Sequence, residues 1–245
     1  MAQEHISPPT PRHTIHSMAP PPAKDIVDLS QPLATGTVYA CDGHPSFRAS
    51  CISHVADGAF ATVHALSLAT HTGTHVDAPF HFFPDGARVD KLDLALLTAT
   101  PAVVADLRAK GPREQITWED LQPYELQMRS GVALVVCTGW SKNWGKANYT
   151  AHPYLDPATA DKILATGVRV VAVDMMSPDL VTDKEGDCGL FHRAWLGKGA
   201  IIVENLNGVD RLLAIPQERL RVSFTPLNLI DCDGSPVRAV GWEER

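Results

Sequence analysis

Short apolar runs separated by polar turns make up most of the chain after residue 25. The runs are rich in valine, isoleucine and other residues that favour strands, and they are too short for typical helices. We therefore predict eight strands, at Asp25–Ser30, Thr62–Leu68, Pro101–Leu107, Val132–Cys137, Val168–Asp174, Ala200–Glu204, Arg219–Ile230 and Val237–Gly241.

Helical signals are fewer and lie between these strands. The segment Thr117–Asp120 has the form of a capping box, which predicts a helix from there to about Arg129. Asp156-Pro157 begins a second predicted helix that ends at Gly167, directly before an apolar strand. This alternation indicates a mixed α/β fold.

The first 24 residues differ from the rest of the chain. They contain six prolines and no apolar run long enough for a signal peptide or a membrane span. We expect residues 1–24 to be a disordered tail. Residues 25–245 are expected to form one domain, because no linker-like stretch interrupts them.

Charge and cysteine content narrow the class of protein. The formal net charge is −7 and the basic residues are scattered, which argues against a nucleic-acid surface. The five cysteines are widely spaced and form no C-x-x-C pair, so neither a disulfide framework nor a zinc ribbon is indicated. Reduced thiols in a cytoplasmic protein fit this pattern best.

The segment His71–His81, with the sequence H-T-G-T-H-V-D-A-P-F-H, concentrates three histidines and one aspartate. Imidazole nitrogen with carboxylate oxygen is the ligand set of Zn²⁺, and Mn²⁺ or Fe²⁺ become suitable as the share of oxygen rises. A lone histidine is more often a surface or core residue than a ligand. Because these residues are clustered, we predict that His71, His75 and Asp77 bind a divalent cation.

Spacing constrains the shape of this segment. Its histidines and its aspartate all occupy odd positions, which a strand would place on one face. A straight strand rises about 3.3 Å per residue and would put the Cα atoms of His71 and His75 about 13 Å apart, near the limit for sharing one ion. We therefore predict a bend at Gly73. A helix is disfavoured, since threonine, valine and glycine are weak helix formers.

His81 has two interpretations. It follows Pro79 and lies among phenylalanines, so it is either a packed histidine or a catalytic one. In the catalytic interpretation it is the general acid/base, because an imidazole can accept and release a proton near neutral pH. Thr72 and Thr74 are suggested as hydrogen-bond partners that fix the tautomers of the metal-binding imidazoles.

The pattern H-x-G-T-H-x-D-x-P-x-H resembles the signature of the metal-dependent cyclase superfamily, which includes bacterial kynurenine formamidase and isatin hydrolase. Every fixed position is matched between His71 and His81. The similarity covers most of the chain, including residues 28–33, 167–174, 191–193 and 203–206. It implies a single domain with a swivelling β/β/α arrangement, in which a β-rich core is flanked by helices.

The resemblance also implies further ligands. His192 and Glu204 stand twelve residues apart, as do a histidine and a glutamate that bind metal in that family. Asp77 is then expected near both ligand groups, with one or two ions of Zn²⁺ or Mn²⁺. From the residues alone, His192 in a short apolar helical turn and Glu204 at the end of an apolar strand could equally be structural.

The resemblance implies hydrolysis of the C–N bond of a small aromatic amide, formamide or lactam by metal-activated water. The protein is expected to be a homo-oligomer that acts on a small molecule. Two alternatives stay open, namely a lactone hydrolase or lyase that uses the same metal, and a non-catalytic protein that the metal stabilises. The chain has no G-x-S-x-G, G-x-G-x-x-G or phosphate-loop motif.

The substrate is less defined than the reaction. Residues 39–47 depart from the W-P-G-D-P-P-F of the formamidases, and residues 140–149 form a longer segment than theirs. Both features favour the broader cyclase branch over kynurenine formamidase itself. Aromatic residues could supply the walls of a pocket, although most are expected in the core. They are Phe47, Phe80, Phe82, Phe83, Trp140, Trp144 and Phe191.

Overall fold

The computed structural model of the protein describes residues 26–36, 44–182 and 188–244. The strands in these ranges are β1 (Val27–Asp28), β2 (Arg48–Ser53), β3 (Val63–Ser67), β4 (His75–Asp77), β5 (Thr100–Asp106), β6 (Gln115–Ile116), β7 (Ala133–Cys137), β8 (Tyr154–Leu155), β9 (Val170–Val173), β10 (Ile201–Glu204), β11 (Leu220–Ser223), β12 (Gly234–Pro236) and β13 (Val240–Glu243). The α-helices are α1 (Trp118–Leu121), α2 (Thr159–Ala165) and α3 (Leu190–Leu196).

A nine-stranded mixed sheet organises the molecule, in the order β1-β13-β11-β5-β7-β9-β10-β4-β12. Its centre is parallel, from β5 through β7 and β9 to β10. Both flanks are antiparallel. The parallel strands need crossover connections, and α2 and α3 lie in the segments that join β7 to β9 and β9 to β10.

Alternate residues of the central strands enter two separate cores. On β5, Val103 packs in a cluster with Ile163 of α2 and Trp195 of α3. Its neighbour Val104 packs on the opposite face, in a cluster that contains Val76 of β4 and Val222 of β11. Since the outer strands of the sheet share a core with its central strand, the sheet curls over its own face, with the helices on the other face. This arrangement confirms the predicted α/β class and the β/β/α layering.

Strands β2 and β3 form a hairpin outside the main sheet. Nearly all of its residues are exposed, including Ile52 and Leu66, and Phe60 in the connection is fully exposed. β3 was predicted, but β2 was not. The sequence of β2, R-A-S-C-I-S, carries no apolar period because neither face of the hairpin is buried.

Two element predictions run far past the end of the observed element. The helix predicted to about Arg129 is α-helical only through Leu121 and continues as a 3₁₀ helix over Gln122–Gln127. Pro123 explains the change, because its ring lacks an N–H and clashes with the carbonyl four residues earlier. The strand predicted over Arg219–Ile230 ends at Ser223.

A proline also explains the second error. Beyond Ser223 a single bridge joins Pro226 to Val237, and a proline cannot donate to a continuing ladder. The last predicted strand, Val237–Gly241, is displaced to Val240–Glu243. The predicted tail, residues 1–24, lies outside the described residues. No helix in the described ranges is long and apolar enough to cross a bilayer.

Candidate metal centre

Strand β4 carries two of the predicted site residues into the interior. It lies between β10 and β12, where His75 pairs with Glu204 and Asp77 pairs with Ile202 across the β4–β10 ladder. His75 and Asp77 are two residues apart and face the same side, while Val76 between them enters the core. The pairing therefore brings two carboxylates and an imidazole together at a buried position.

His71 reaches the same place through a turn. Gly73 has a φ of 65°, a left-handed conformation that glycine adopts readily, so the predicted bend is present. The strand predicted along this segment covers only His75–Asp77, and Pro79–His81 form a 3₁₀ turn. The carbonyl of Gly73 lies 2.8 Å from His75 Nδ1 and orients that ring with Nε2 toward the carboxylates.

His192 comes from the first turn of α3. Asp179 holds it there, because its carboxylate accepts hydrogen bonds from the backbone N–H groups of Phe191 and His192 and lies 2.5 Å from His192 Nδ1. The other ring nitrogen, Nε2, therefore faces Asp77 and Glu204. A carboxylate that fixes the distal nitrogen of an imidazole is the usual arrangement behind a metal-binding histidine.

Four of the five predicted ligand residues converge at nearly equal distances. His75 Nε2 lies 3.2 Å from Asp77 Oδ1 and 3.4 Å from Glu204 Oε2. His192 Nε2 lies 3.4 Å from Asp77 Oδ2 and 3.3 Å from Glu204 Oε1. Four ligand atoms about 2.0–2.1 Å from a tetrahedral zinc ion are separated from one another by roughly 3.3 Å. His71 Nδ1 is closer to Asp77 Oδ1, at 2.7 Å.

Buried carboxylate oxygens without hydrogen-bond partners indicate whether this site suits a cation. Both carboxylate oxygens of Asp77 and Oε1 of Glu204 are buried without a hydrogen-bond partner. Imidazoles lie near these oxygens, with His71 Nδ1 2.7 Å from Asp77 Oδ1, but none forms a hydrogen bond of normal geometry with them. A buried carboxylate in that state is unfavourable unless a cation neutralises it. These atoms fall into two groups that share Asp77, one with His71 and His75 and one with His192 and Glu204. The donor set therefore fits one divalent cation, or two, each held by one of these groups.

Charge within the cluster shifts the ionisation of its members. Burial opposes the charged form of Asp77, but His75 and His71 together hold its pKa well below the usual range. Burial likewise opposes protonation of His71, but Asp77 and Asp233 raise its pKa to about 10. The pKa of His192 is also raised, against the effect of burial, by Asp179, Asp77 and Glu204. A cation bound here would therefore have to displace protons from these imidazoles, and acidification would weaken its binding.

His81 stands beside the cluster, on the 3₁₀ turn after β4. Its Nδ1 lies 3.0 Å from Asp233 Oδ2, and its ring centroid is 4.0 Å from that of His71. The same Asp233 oxygen lies 2.7 Å from His71 Nε2. Hydrogen bonds from His71 and His81 hold the pKa of Asp233 well below its usual range. His81 is only partly buried, so it is accessible from solvent.

Two contacts of the candidate site were missed from the sequence. Asp179 and Asp233 were not predicted as site residues, because each meets its histidine only through the tertiary fold. Asp233 lies in D-C-D-G, which has the composition of an ordinary turn. Conversely, the suggested role of Thr72 and Thr74 is wrong. In the described structure their hydroxyls bond backbone groups, at Ala69 and at Gln31 and Asn205, and not imidazoles.

A pocket of about 260 Å³ opens above the cluster. Its inner wall includes His71, His75 and His81, while Phe82 and Trp144 are apolar parts of its lining. The other aromatic residues named from the sequence do not line this pocket, and Trp140 and Phe191 belong to the core as expected. The site thus combines a polar, cation-compatible base with flat apolar walls.

The family follows from comparison with known proteins. A family model described as "Putative cyclase" matches residues 27–180, more than half of the chain. This chain belongs to the cyclase family. The match confirms the resemblance carried by His71–His81.

Curated relatives of this cyclase-family protein include kynurenine formamidases. The one from Bacillus mycoides strain KBAB4 is 32% identical over 216 residues, which cover 87% of this chain and 95% of the relative. The one from Geobacillus thermodenitrificans strain NG80-2 is 36% identical over 185 residues, covering 75% of this chain and 81% of the relative. These relatives support the reaction class, and the preference for the broader branch over the formamidases stays a prediction.

Solved structures show the same fold. An isatin hydrolase bound to the product analogue thioisatinate superposes with a TM-score of 0.75 at 21% identity, covering 90% of this chain and 93% of the other. Isatin hydrolase A from Ralstonia solanacearum gives a TM-score of 0.76 at 24% identity, with 89% and 92% covered. At these identities the likeness establishes the cyclase fold for this protein.

Proposed function

We propose that this protein is a metal-dependent hydrolase that cleaves the C–N bond of a small aromatic amide, formamide or lactam. The observation that carries the proposal is the set of four nitrogen–oxygen distances of 3.2–3.4 Å around buried, unsatisfied carboxylate oxygens. The cluster lies at the base of a pocket with aromatic walls. Relatives named kynurenine formamidase, matched along most of the chain, support this reaction class.

The proposed metal ligands are His71, His75, Asp77, His192 and Glu204. His71, His75 and Asp77 would hold one ion, and Asp77, His192 and Glu204 a second. Mixed nitrogen and oxygen donors suit Zn²⁺ or Mn²⁺. When bound, such a cation lowers the pKa of water and polarises a carbonyl oxygen.

His81 is the proposed proton carrier. Its Nδ1 is engaged by Asp233, which leaves Nε2 to receive a proton from the water that attacks the carbonyl carbon. The C–N bond then breaks, and His81 delivers that proton to the departing nitrogen. The products are a carboxylic acid and an amine, so His81 returns to its starting state.

The pocket lining suggests the substrate class. Phe82 and Trp144 offer flat apolar surfaces, and Met176 and Leu180 extend the apolar wall. Flat aromatic side chains favour stacked or edge contacts with an aromatic ring. A ring held there would bring an attached amide down toward His81 and the buried carboxylates.

We also propose that the protein is a cytoplasmic homo-oligomer. Cys51, Cys137 and Cys232 are free thiols in the described structure, which suits a reducing compartment. The hairpin of β2 and β3 is open on both faces, and a two-stranded hairpin is marginally stable at best without a covering partner. A second copy of the chain is the covering partner that we propose.

Elemental analysis and turnover measured on one preparation test the proposed function. We expect bound Zn²⁺ or Mn²⁺, hydrolysis of N-formylkynurenine or isatin, loss of turnover on chelation and recovery on adding the metal back. His75→Ala should lose the metal, while His64→Ala, on the exposed hairpin, should retain it. Metal without turnover of either compound, but with turnover of a lactone, would replace the amidase with a lactonase. No metal after reconstitution would overturn the metal centre.

A further inference from the structure

Asp233 lies where the segment that carries His71 meets the turn that carries His81. Its Oδ2 lies 2.7 Å from His71 Nε2 and 3.0 Å from His81 Nδ1, and its Oδ1 accepts a hydrogen bond from the Thr70 hydroxyl at 2.9 Å. An ionised carboxylate only accepts hydrogen bonds. The two ring nitrogens that face it therefore both carry hydrogen. For His81 this selects the Nδ1–H tautomer. For His71, whose Nδ1 lies equally close to Asp77, it makes Nε2 the nitrogen that keeps its hydrogen when a cation takes the place of the hydrogen on Nδ1.

The main chain around Asp233 fixes the position of this carboxylate. The backbone N–H of Ala78 donates to the carbonyl of Asp233 at 2.9 Å, and the next residue, Gly234, pairs with Asp77 on β4. A Cβ added at Gly234 would lie 2.9 Å from Cε1 of His71, so the His71 ring packs directly on this backbone. Asp233 is consequently held in register with the strand that carries the proposed ligands.

We propose that Asp233 is a positioning residue that sets the tautomers of His71 and His81 at the same time. Donation from His71 Nε2–H to Asp233 leaves Nδ1, 2.7 Å from Asp77, as the nitrogen that would turn its lone pair to a cation bound there. Donation from His81 Nδ1–H leaves Nε2 without hydrogen and able to accept a proton. This inference rests on the proposed function, in which His71 holds a cation and His81 carries a proton.

One competing role uses the same atoms. His71, His81 and Asp233 each offer an atom within 4.8 Å of the others, so the three could themselves hold a cation. That role would require His71 Nε2 to present a lone pair to the ion instead of a hydrogen to Asp233. The positioning role keeps His71 with Asp77 and His75 and leaves His81 available for proton transfer.

The test compares Asp233→Asn with Asp231→Asn, the same chemical change in the same turn. Asp231 is mostly exposed and contacts Arg88, so its variant serves as the matched control. The measurements are zinc content at saturating Zn²⁺, zinc affinity by chelator competition, kcat and KM for the hydrolysed compound, and NMR of the imidazole nitrogens. Thr70→Val is a second variant that removes only the bond to Oδ1 and keeps the carboxylate.

We expect Asp233→Asn to bind the full amount of zinc at saturation, with an affinity about 10- to 100-fold lower and kcat reduced by a similar factor. KM should stay within about threefold, because Asp233 does not line the pocket. The NMR signals should show the Nδ1–H tautomer of His81 in the wild type and its loss in Asp233→Asn. Thr70→Val should show a smaller change in the same direction, and Asp231→Asn none.

Two results would overturn this role. Loss of bound zinc at saturation in Asp233→Asn would make Asp233 a ligand. Wild-type affinity, kcat and His81 tautomer in that variant would leave it with no role in the site. The tautomer measurement does not depend on turnover. A wild type that hydrolyses neither test compound would count against the proposed function, and NMR and zinc affinity would still decide the role of Asp233.

Discussion

His81 lies at hydrogen-bond distance from Asp233 and belongs to neither of the two ligand groups that share Asp77. We therefore expect His81→Ala to retain its metal and to lose about 10²- to 10⁴-fold in kcat, the range typical of a removed general acid/base. Elemental analysis and steady-state kinetics on the same preparation check both parts. An unchanged kcat would remove the proton-carrier assignment, and a fall in metal content would make His81 a ligand.

Asp174 is a buried carboxylate outside the candidate site. It follows β9 and accepts hydrogen bonds from the Thr138 hydroxyl and from the backbone N–H groups of Thr138 and Gly139. Burial raises its pKa to about 6, against the effect of those donors. The folded state therefore binds this proton more tightly than the unfolded state, in which the pKa lies near 3.8.

The sign of the resulting pH dependence is fixed by that difference. The stabilisation from Asp174 is fully present below about pH 4, declines as the pH rises to about 6 and is absent above it, a change of about 3 kcal/mol. Asp174→Asn should lack this decline. We expect the free energy of unfolding of the wild type, minus that of Asp174→Asn, to fall between pH 4 and pH 7, as measured by denaturant titration. A difference that does not vary with pH would contradict the assignment.

At the scale of elements, the turn that carries His81 depends on Gly86. A Cβ added at Gly86 would lie 2.5 Å from the carbonyl carbon of Pro79 and 2.7 Å from the nitrogen of Phe80, both of them backbone atoms. Gly86 also donates a hydrogen bond to the carbonyl of Phe83. Because of this close approach, the backbone at Gly86 packs directly against the 3₁₀ turn over Pro79–His81.

Gly86→Ala should therefore displace this turn. We expect a lower kcat with near-normal metal content, because the proposed ligands lie on other segments, and a loss of about 1–3 kcal/mol in stability from overpacking. Gly111→Ala is the matched control, since its nearest neighbour is the end of the Glu114 side chain at 3.5 Å. Kinetics, elemental analysis and thermal melts of both variants test this. Equal effects at Gly86 and Gly111 would refute it.

Elements differed in how far the sequence could predict them. The strands β5, β7, β9 and β10 were predicted within two residues at each end, because both of their faces are buried and their apolar runs are continuous. The 3₁₀ turns and the strand β2 left no comparable pattern. Short 3₁₀ segments bury few side chains, and β2 buries almost none.

The candidate site could be predicted from the sequence only where its residues are close along the chain. His71, His75 and Asp77 form a local pattern whose chemistry is visible from spacing alone. His192 and Glu204 could be named only through the family resemblance, because they lie on α3 and β10. Asp233 contacts His71 across 162 residues. No spacing rule predicts a contact of that kind, since the curling of the sheet creates it.

At the scale of the whole molecule, the exposed hairpin of β2 and β3 indicates where two subunits would meet. It joins the main body next to the segment that carries His71, and its residues Ile52 and Leu66 are 68% and 62% exposed. A two-stranded hairpin exposed on both faces gains little from burial, so its stability should come from another surface. Homo-oligomers usually bury the same patch of each subunit around a twofold axis.

We therefore expect the wild type to be a dimer or larger by light scattering, and the double variant Ile52→Asp with Leu66→Asp to be a monomer. The double variant should also melt at a lower temperature, because the uncovered hairpin loses its packing. Leu126→Asp is the control: this side chain is 97% exposed on a 3₁₀ segment elsewhere and should leave the mass unchanged. A monomeric wild type would refute the oligomer. A double variant that keeps the wild-type mass would mean that the subunits meet through another surface and that the hairpin is not the interface.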